Sequence, residues 1–451
     1  MKALSLLFVL LTCTTRPLAQ NNATQQLEAL LQSYASAGRF SGSVLVAKND
    51  TVLLQKGYGY QRLTDSSLNK EQTAFQIASV TKTFTATLLL QLVKQQKIAL
   101  NDKLSSYYKG FSNGNSITIE HLLTHTSGLH NFTESDTIIS ETDETRMVPY
   151  LASLPADFTP GSKWHYSNSG YVMLGFIIQK VCGLSYWQAV RRYLFEPLHM
   201  RGSGFDFTHL NAIHKATGYE SGTSSEQKAA VITDSTPPFA AGAIYSTVAD
   251  LYKWHKGLQH YQVIDSTLAT LAYTPGTYSN YGYGWQIDSV YGDKMVSHSG
   301  AIAGFSSNLA RIPARDLCII LLSNQAGATG ELITITRKIT AILYGEPYRM
   351  LQKRTPVTLP APLLNTYTGT YEIPALHLVI TLYVATNQLM VQPVRDGNPG
   401  PSSRLLATTN LHFYDQRDDE VTLLFDRDST GYVKGFTLQL LGQTHYAQKI
   451  K

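Results

Sequence analysis

At 451 residues, with 43% hydrophobic and 15% charged side chains and a net charge of +5, the chain has a globular composition and is too long for one ordinary core. It carries no run of like charge and no basic stripe interleaved with aromatics, which excludes the electrostatic footprint of nucleic-acid binding. Beyond the N-terminal run no segment reaches about 18 uninterrupted apolar residues, so the mature chain is expected to be soluble.

Residues 1–19 read as a secretory leader, with Lys2, an apolar run from Ala3 to about Leu11, and cleavage after Ala19. The protein is therefore expected to be exported, periplasmic or extracellular. Cys13 follows the apolar run and offers a second reading as a lipoprotein cysteine, which would tether the chain to a membrane. Helical periodicity runs from Thr24 to about Ala37 and stops at Gly38. Two alternating runs, from Ser43 to Ala47 and from Val52 to Gln55, flank Asn49-Asp50, which is hairpin chemistry. An apolar helix is predicted over Thr83–Val93. The stretch to about Leu258 reads as helices and loops, and strands return at Lys294–His298, Gly304–Arg311 and Leu317–Ser323, before a helix over Glu331–Leu343.

Strands at both ends with helices between them predict an α/β (α+β) domain over residues 20–346, its sheet antiparallel and built from N- and C-terminal segments, with a helical insertion and a cleft where they meet. Residues 347–365 form a proline-punctuated linker. Short alternating strands at Leu378–Val384, Leu389–Pro393, Val421–Phe425 and Gly435–Leu440 then predict a small all-β, barrel-like domain over 366–451. Of the cysteines left by processing, Cys182 and Cys318 lie in apolar surroundings and read as buried thiols, one disulfide being the alternative. His121 and His125, four apart, have the spacing of a zinc pair on one helical face, but Thr-Ser-Gly ends that helix, and no metal site is expected.

Three strings carry chemistry. Ser79 and Lys82 are one helical turn apart, immediately before a long apolar helix, so the amine returns over the face that carries the hydroxyl. Ser67/Lys70, Ser106/Lys109 and Ser225/Lys228 share the spacing but lie in polar, turn-like segments. Tyr166-Ser-Asn168 follows a Pro160-Gly161 turn and opens a second apolar helix. A phenol held there beside a cationic lysine is expected to titrate low enough to exchange a proton with the serine, and Asn168 offers an amide to a substrate. Tyr278-Ser-Asn280 repeats the string without a helix after it; Tyr281-Gly-Tyr-Gly-Trp285 reads as a glycine-aromatic strand, with Tyr283 and Trp285 as core or pocket wall. His298-Ser-Gly300 ends a strand. Gly300 lets a substrate lie on the strand edge, where the N–H of Ala301 could join that of Ser79 in an oxyanion hole, and His298 could orient the tyrosine or the substrate.

With these strings in order, together with Ile119–Leu129, Pro197-Leu-His-Met200 and Ala241–Asp250, residues from about Leu27 to Tyr344 resemble the serine β-lactamase and penicillin-recognising hydrolase family, in its class C, esterase and D-aminopeptidase-like branch. The resemblance implies that Ser79 is acylated, that Lys82 and Tyr166 share the proton transfers, and that the N–H groups of Ser79 and Ala301 hold the oxyanion. Asn168, His298 and Gly300 would bind the substrate, a small ester, amide or peptide, with no cofactor. His298 stands where β-lactamases have the lysine of Lys-Thr-Gly. That change moves the expected substrate away from penicillins and toward esters and D-amino-acid peptides. Within the enzyme class β-lactamase and D-Ala-D-Ala carboxypeptidase stay open; the alternative outside it is a penicillin-binding or sensor protein that acylates slowly, or whose β domain captures a peptide or glycan.

Overall fold

The computed structural model describes residues 15–135, 143–220, 228–351, 354–395, 398–400, 402–416, 420–440 and 443–451, in two compact units that meet in sequence between Glu346 and Pro347. The expected leader lies largely outside the described residues. Helix α1 (Thr15–Ser36) already includes its last residues and reaches further toward the N-terminus than the periodicity predicts.

Asn49 and Asp50 take φ of +50° and +59°, the paired left-handed residues of a tight hairpin, and join β1 (Gly42–Lys48) to β2 (Thr51–Tyr58). The late strands are β3 (Gln286–Val290), β4 (Asp293–Ile302), β5 (Phe305–Ile312) and β6 (Leu317–Ser323). Together they form a six-stranded antiparallel sheet in the order β2-β1-β6-β5-β4-β3, in which β1 pairs with β6 from Gly42↔Ser323 to Lys48↔Leu317. The two ends of the domain sequence are thus neighbours at the sheet centre, and everything between β2 and β3 is inserted.

Central strands must bury both faces, and β1 and β6 read as continuous apolar runs for that reason. On one face Leu45, Cys318, Ile320 and Leu322 join the core built with α2 (Thr81–Lys94), α3 (Asn168–Cys182) and α4 (Val248–Gln259). On the other, α1 packs with α5 (Thr329–Tyr344), whose Leu332, Ile335 and Ile339 are buried. Helix α2 is buried nearly all round, from Thr81 to Leu92, with Phe84 stacked on Trp254 at 4.1 Å. A helix enclosed in this way cannot shift without disturbing the core, which makes its N-terminus a rigid mount.

The second unit contains β7 (Gly369–Ile373), β8 (Leu378–Ala385), β9 (Gln388–Arg395), β10 (Ser403–Ala407), β11 (His412–Asp415), β12 (Thr422–Arg427), β13 (Val433–Leu440) and β14 (Gln443–Lys449). Each pairs with the next, and β14 returns to β7 through Tyr371↔Lys449, closing an eight-stranded barrel. Its interior is filled by Tyr367, Tyr371, Phe413, Phe425 and Phe436. Cys182 and Cys318 are both free thiols, Cys318 fully buried. No helix among the described residues is long and apolar enough to cross a membrane.

Candidate active site

Strand Phe75-Gln76 leads into a single 3-10 turn, Ala78–Val80, and then directly into α2. Ala78 holds φ of +46°, a left-handed conformation that a residue with a Cβ rarely adopts. Its neighbours over-determine it. The Ile77 N–H donates to the Ile244 carbonyl (2.9 Å), and Ser307 Oγ donates to the Ile77 carbonyl (2.7 Å). The turn projects Ser79 into the cleft while Lys82, one turn on, is completely buried beneath it.

Lys82 Nζ has three partners: Ser79 Oγ at 3.0 Å, Asn168 Oδ1 at 2.8 Å and the Ala241 carbonyl at 2.8 Å. Burial holds the ammonium well below its ordinary pKa. A neutral amine has two N–H groups and one lone pair. These match the arrangement if the N–H groups go to the two carbonyl-type oxygens and the lone pair faces the Ser79 hydroxyl. Protonated, the same nitrogen donates to all three. Both states of a general base are therefore hydrogen-bonded without any movement.

Tyr166, in the loop that enters α3, hydrogen-bonds Ser79 through its hydroxyl, and Lys82 Nζ lies 4.8 Å from its ring centre. Burial raises this phenol well above its ordinary pKa, opposite to the expected lowering. The expectation weighed the neighbouring lysine alone, whereas burial of the phenol itself is the larger effect. The phenol remains protonated and acts as a donor. Asn168 opens α3. Its N–H donates to Asn131 Oδ1 (3.1 Å) and its Nδ2 to Thr133 Oγ1 (3.2 Å), which fixes its carbonyl oxygen toward Lys82.

The β3–β4 ladder stops at Gln286↔Ser297, whereas β4 pairs with β5 as far as Ile302↔Phe305. Residues 298–302 therefore form an open strand edge beside the nucleophile turn. Gly300 makes the close approach: a Cβ there would lie 2.5 Å from Ser307 Oγ and 3.0 Å from Ala78 Cβ, and would also press on the Ile77 carbonyl. Gly300→Ala is expected to lower kcat/KM by about 10²-fold through displacement of Ser79 and to cost about 1–3 kcal/mol of stability, measured by ester turnover and chemical denaturation. A cavity of about 510 Å³ is lined by Ser79, Tyr166, Asn168, His298, Gly300 and Ala301, and extends round the edge to Asp288 and Arg337.

Of the residues expected from sequence, the structure brings Ser79, Lys82, Tyr166 and Asn168 into one hydrogen-bonded group, with Gly300 and Ala301 alongside. His298 is in the same cavity but is bonded elsewhere. Its Nδ1 lies 2.6 Å from the Ser299 carbonyl and its Nε2 2.8 Å from the Tyr281 hydroxyl. Burial, and then the Lys82 charge, push its pKa down to about 3. The segment Tyr281–Trp285 is irregular rather than a strand, with Gly284 at φ of +78°; the strand begins only at Gln286.

Sequence reasoning missed Tyr281, the Ala241 carbonyl and His125. His125 is buried at φ of +59°, its ring 4.3 Å from that of Tyr166 and 4.7 Å from that of Tyr281, and its Nδ1 accepts the Ser167 N–H at 3.1 Å. It supports the tyrosine loop. His121 instead caps its own helix, with Nδ1 accepting the Thr118 N–H (3.3 Å), so the two histidines do not share a helical face. Among the described residues no group of three or more metal-ligating side chains converges.

Residues 21–343 match the Beta-lactamase family, and the chain belongs to that family. A putative penicillin-binding protein of Bacillus subtilis strain 168, PbpX, is 29% identical over 316 residues, which cover 70% of this chain and 78% of the relative. Penicillin-binding protein 4* of the same organism is 26% identical over 381 residues, covering 78% and 84%. Among solved structures, a penicillin-binding protein from Bacillus halodurans superposes with a TM-score of 0.62 at 26% identity, over 69% of this chain and 98% of its own. A D-amino acid amidase from Ochrobactrum anthropi SV3 has the same fold, with a TM-score of 0.62 at 22% identity, over 72% of this chain and 99% of its own. The protein is thus a β-lactamase-type serine hydrolase in family and fold.

Proposed function

We propose that the protein is an exported hydrolase that cleaves a small ester or amide, including amides of D-amino acids, through an acyl-Ser79 intermediate. The observation that carries this reading is the three-partner arrangement of Lys82, a fully buried amine 3.0 Å from the Ser79 Oγ. Lys82 takes the Ser79 proton as Oγ attacks the carbonyl carbon, and the backbone N–H groups of Ser79 and Ala301 receive the developing oxyanion. Tyr166, still protonated, donates to the leaving oxygen or nitrogen and recovers a proton from Lys82. Water then enters along the same path in reverse and releases the acid.

A neutral imidazole at position 298 offers a penicillin carboxylate no positive charge. The test is a panel of p-nitrophenyl esters, D-amino-acid amides, D-Ala-D-Ala peptides and nitrocefin. The ester or amide arm is expected to exceed nitrocefin by about 10²-fold or more in kcat/KM, the range over which one charge-assisted contact discriminates. Nitrocefin turnover matching the best ester would overturn this assignment. The names of the Bacillus subtilis relatives favour a second reading, a penicillin-acylated protein with slow release. Stoichiometric labelling of Ser79 without product formation from any of the esters or amides would select it.

A further inference from the structure

We propose that Tyr281 is a positioning residue that locks His298 in its Nδ1–H tautomer and removes it from proton transfer; the catalytic part of this inference rests on the hydrolase reading above. The Ser299 carbonyl is only an acceptor, so at 2.6 Å the His298 Nδ1 must carry the proton and donate it. The neutral ring then has its lone pair on Nε2, and at 2.8 Å the Tyr281 O–H must donate to it. The hydroxyl has a single proton, so the direction of the whole chain, Tyr281 to His298 to Ser299, is determined.

The surroundings are buried and aromatic. His298 is 5% exposed. Around it lie Lys82 from α2, Tyr166 from the loop before α3 and His125 from the loop after the short Ile119–Leu123 helix, while Tyr171 from α3 bonds to Tyr281. The Tyr171 hydroxyl proton is committed to the Leu123 carbonyl at 2.9 Å. Tyr281 itself is held edge-on to His298, with ring centres 5.7 Å apart, and tilted by 55° against His125. The Tyr171 oxygen, with its own proton given to Leu123, is a second acceptor beside Tyr281; the Nδ1–H bond to Ser299, which leaves a lone pair on His298 Nε2, is what assigns the Tyr281 proton to the histidine.

Two consequences follow for the reaction. A histidine within reach of Tyr166, its ring centre 6.4 Å away, would compete with Lys82 for the serine proton if its Nε2 were free. With Nε2 occupied, His298 does not compete, and Lys82, 3.0 Å from Ser79 Oγ, takes the proton. The Nδ1–H bond also ends on the backbone of the open strand edge, where Ser299 and Ala301, two residues apart, present their peptide groups to the same side. Covering the Ser299 carbonyl leaves Ala301 as the point where a substrate amide meets the strand.

The test is ¹⁵N NMR of histidine-labelled protein, with the His298 signals assigned by their loss in His298→Gln, alongside pH–rate profiles for the wild type and Tyr281→Phe. Wild-type His298 is expected to show a protonated Nδ1 and an unprotonated Nε2, unchanged between about pH 5 and 8. In Tyr281→Phe the two signals should move toward a tautomer mixture and titrate inside that window. In the same variant kcat is expected to fall about 10-fold with KM within about 2-fold, and the acid limb to move to higher pH. An Nε2–H tautomer in the wild type, or a variant with unchanged signals and an unchanged acid limb, would overturn the proposal. The NMR arm needs no turnover, so it separates an error here from an error in the assigned reaction.

Discussion

Ser79→Ala should lower kcat for an activated ester by about 10⁴-fold or more, with the far-ultraviolet circular dichroism and the unfolding midpoint nearly unchanged. Ser79 Oγ is the group at which the Lys82 amine and the Tyr166 hydroxyl meet. Removing it leaves a chain that binds substrate but cannot form a covalent intermediate, and residual turnover would come from water held near the oxyanion donors. The fold should tolerate the change, because Ser79 is partly exposed and the strained turn is held by bonds to Ile77 rather than by the serine side chain. A fluorophosphonate probe followed by peptide mass spectrometry should label Ser79 in the wild type and nothing in the variant. Labelling of another serine, or a variant that retains a tenth of the activity, would refute the nucleophile assignment.

Lys82→Met is expected to be about as severe, lowering kcat by about 10³-fold, and it carries a second signature in stability. The folded-state pKa of Lys82 lies below its unfolded value because burial disfavours the charge. Between those two values the unfolded chain binds more protons, so stability rises with pH across that window and loses this contribution as pH falls toward neutrality. Methionine cannot titrate. The unfolding free energy of the wild type relative to Lys82→Met should therefore increase as pH is raised from about 7 to 10. A difference that is flat with pH would mean that Lys82 enters the folded state as a full cation and is not the resting base.

The geometry around Ser79 was legible in the sequence because both its parts are local. A spacing of three residues before an apolar helix fixes the Ser79–Lys82 relation without knowledge of the rest of the chain. The partnership of Lys82 with Asn168, 86 residues away, was reachable only through the order of the three strings. Tyr281 shows where pattern reading ran out. It follows a repeated Tyr-Ser-Asn string whose own tyrosine, Tyr278, is exposed, and nothing local distinguishes a hydroxyl bonded to His298 from a pocket wall. The direction of the Tyr166 shift was lost for a related reason, since it depends on how deeply the phenol itself is buried, which its local string does not report.

In the second domain the strands rich in apolar residues were visible and the others were not. Gln443–Lys449 buries only Ala447 fully, and it is a strand because its backbone is paired on both sides, with β13 and with β7. Alternation reports burial, whereas barrel closure is a matter of pairing.

That closure gives the two domains opposite social characters. Beyond Ser297 the outer edge of β4 has no strand partner among the described residues, and the cavity beside Ser79 runs along it. Such a stretch is also a place where a stray extended peptide can dock. The barrel returns its last strand to its first and offers passing chains no such template along its eight-strand circuit. On the proposed mechanism, competition by extended peptides at residues 298–302 should appear as inhibition of turnover.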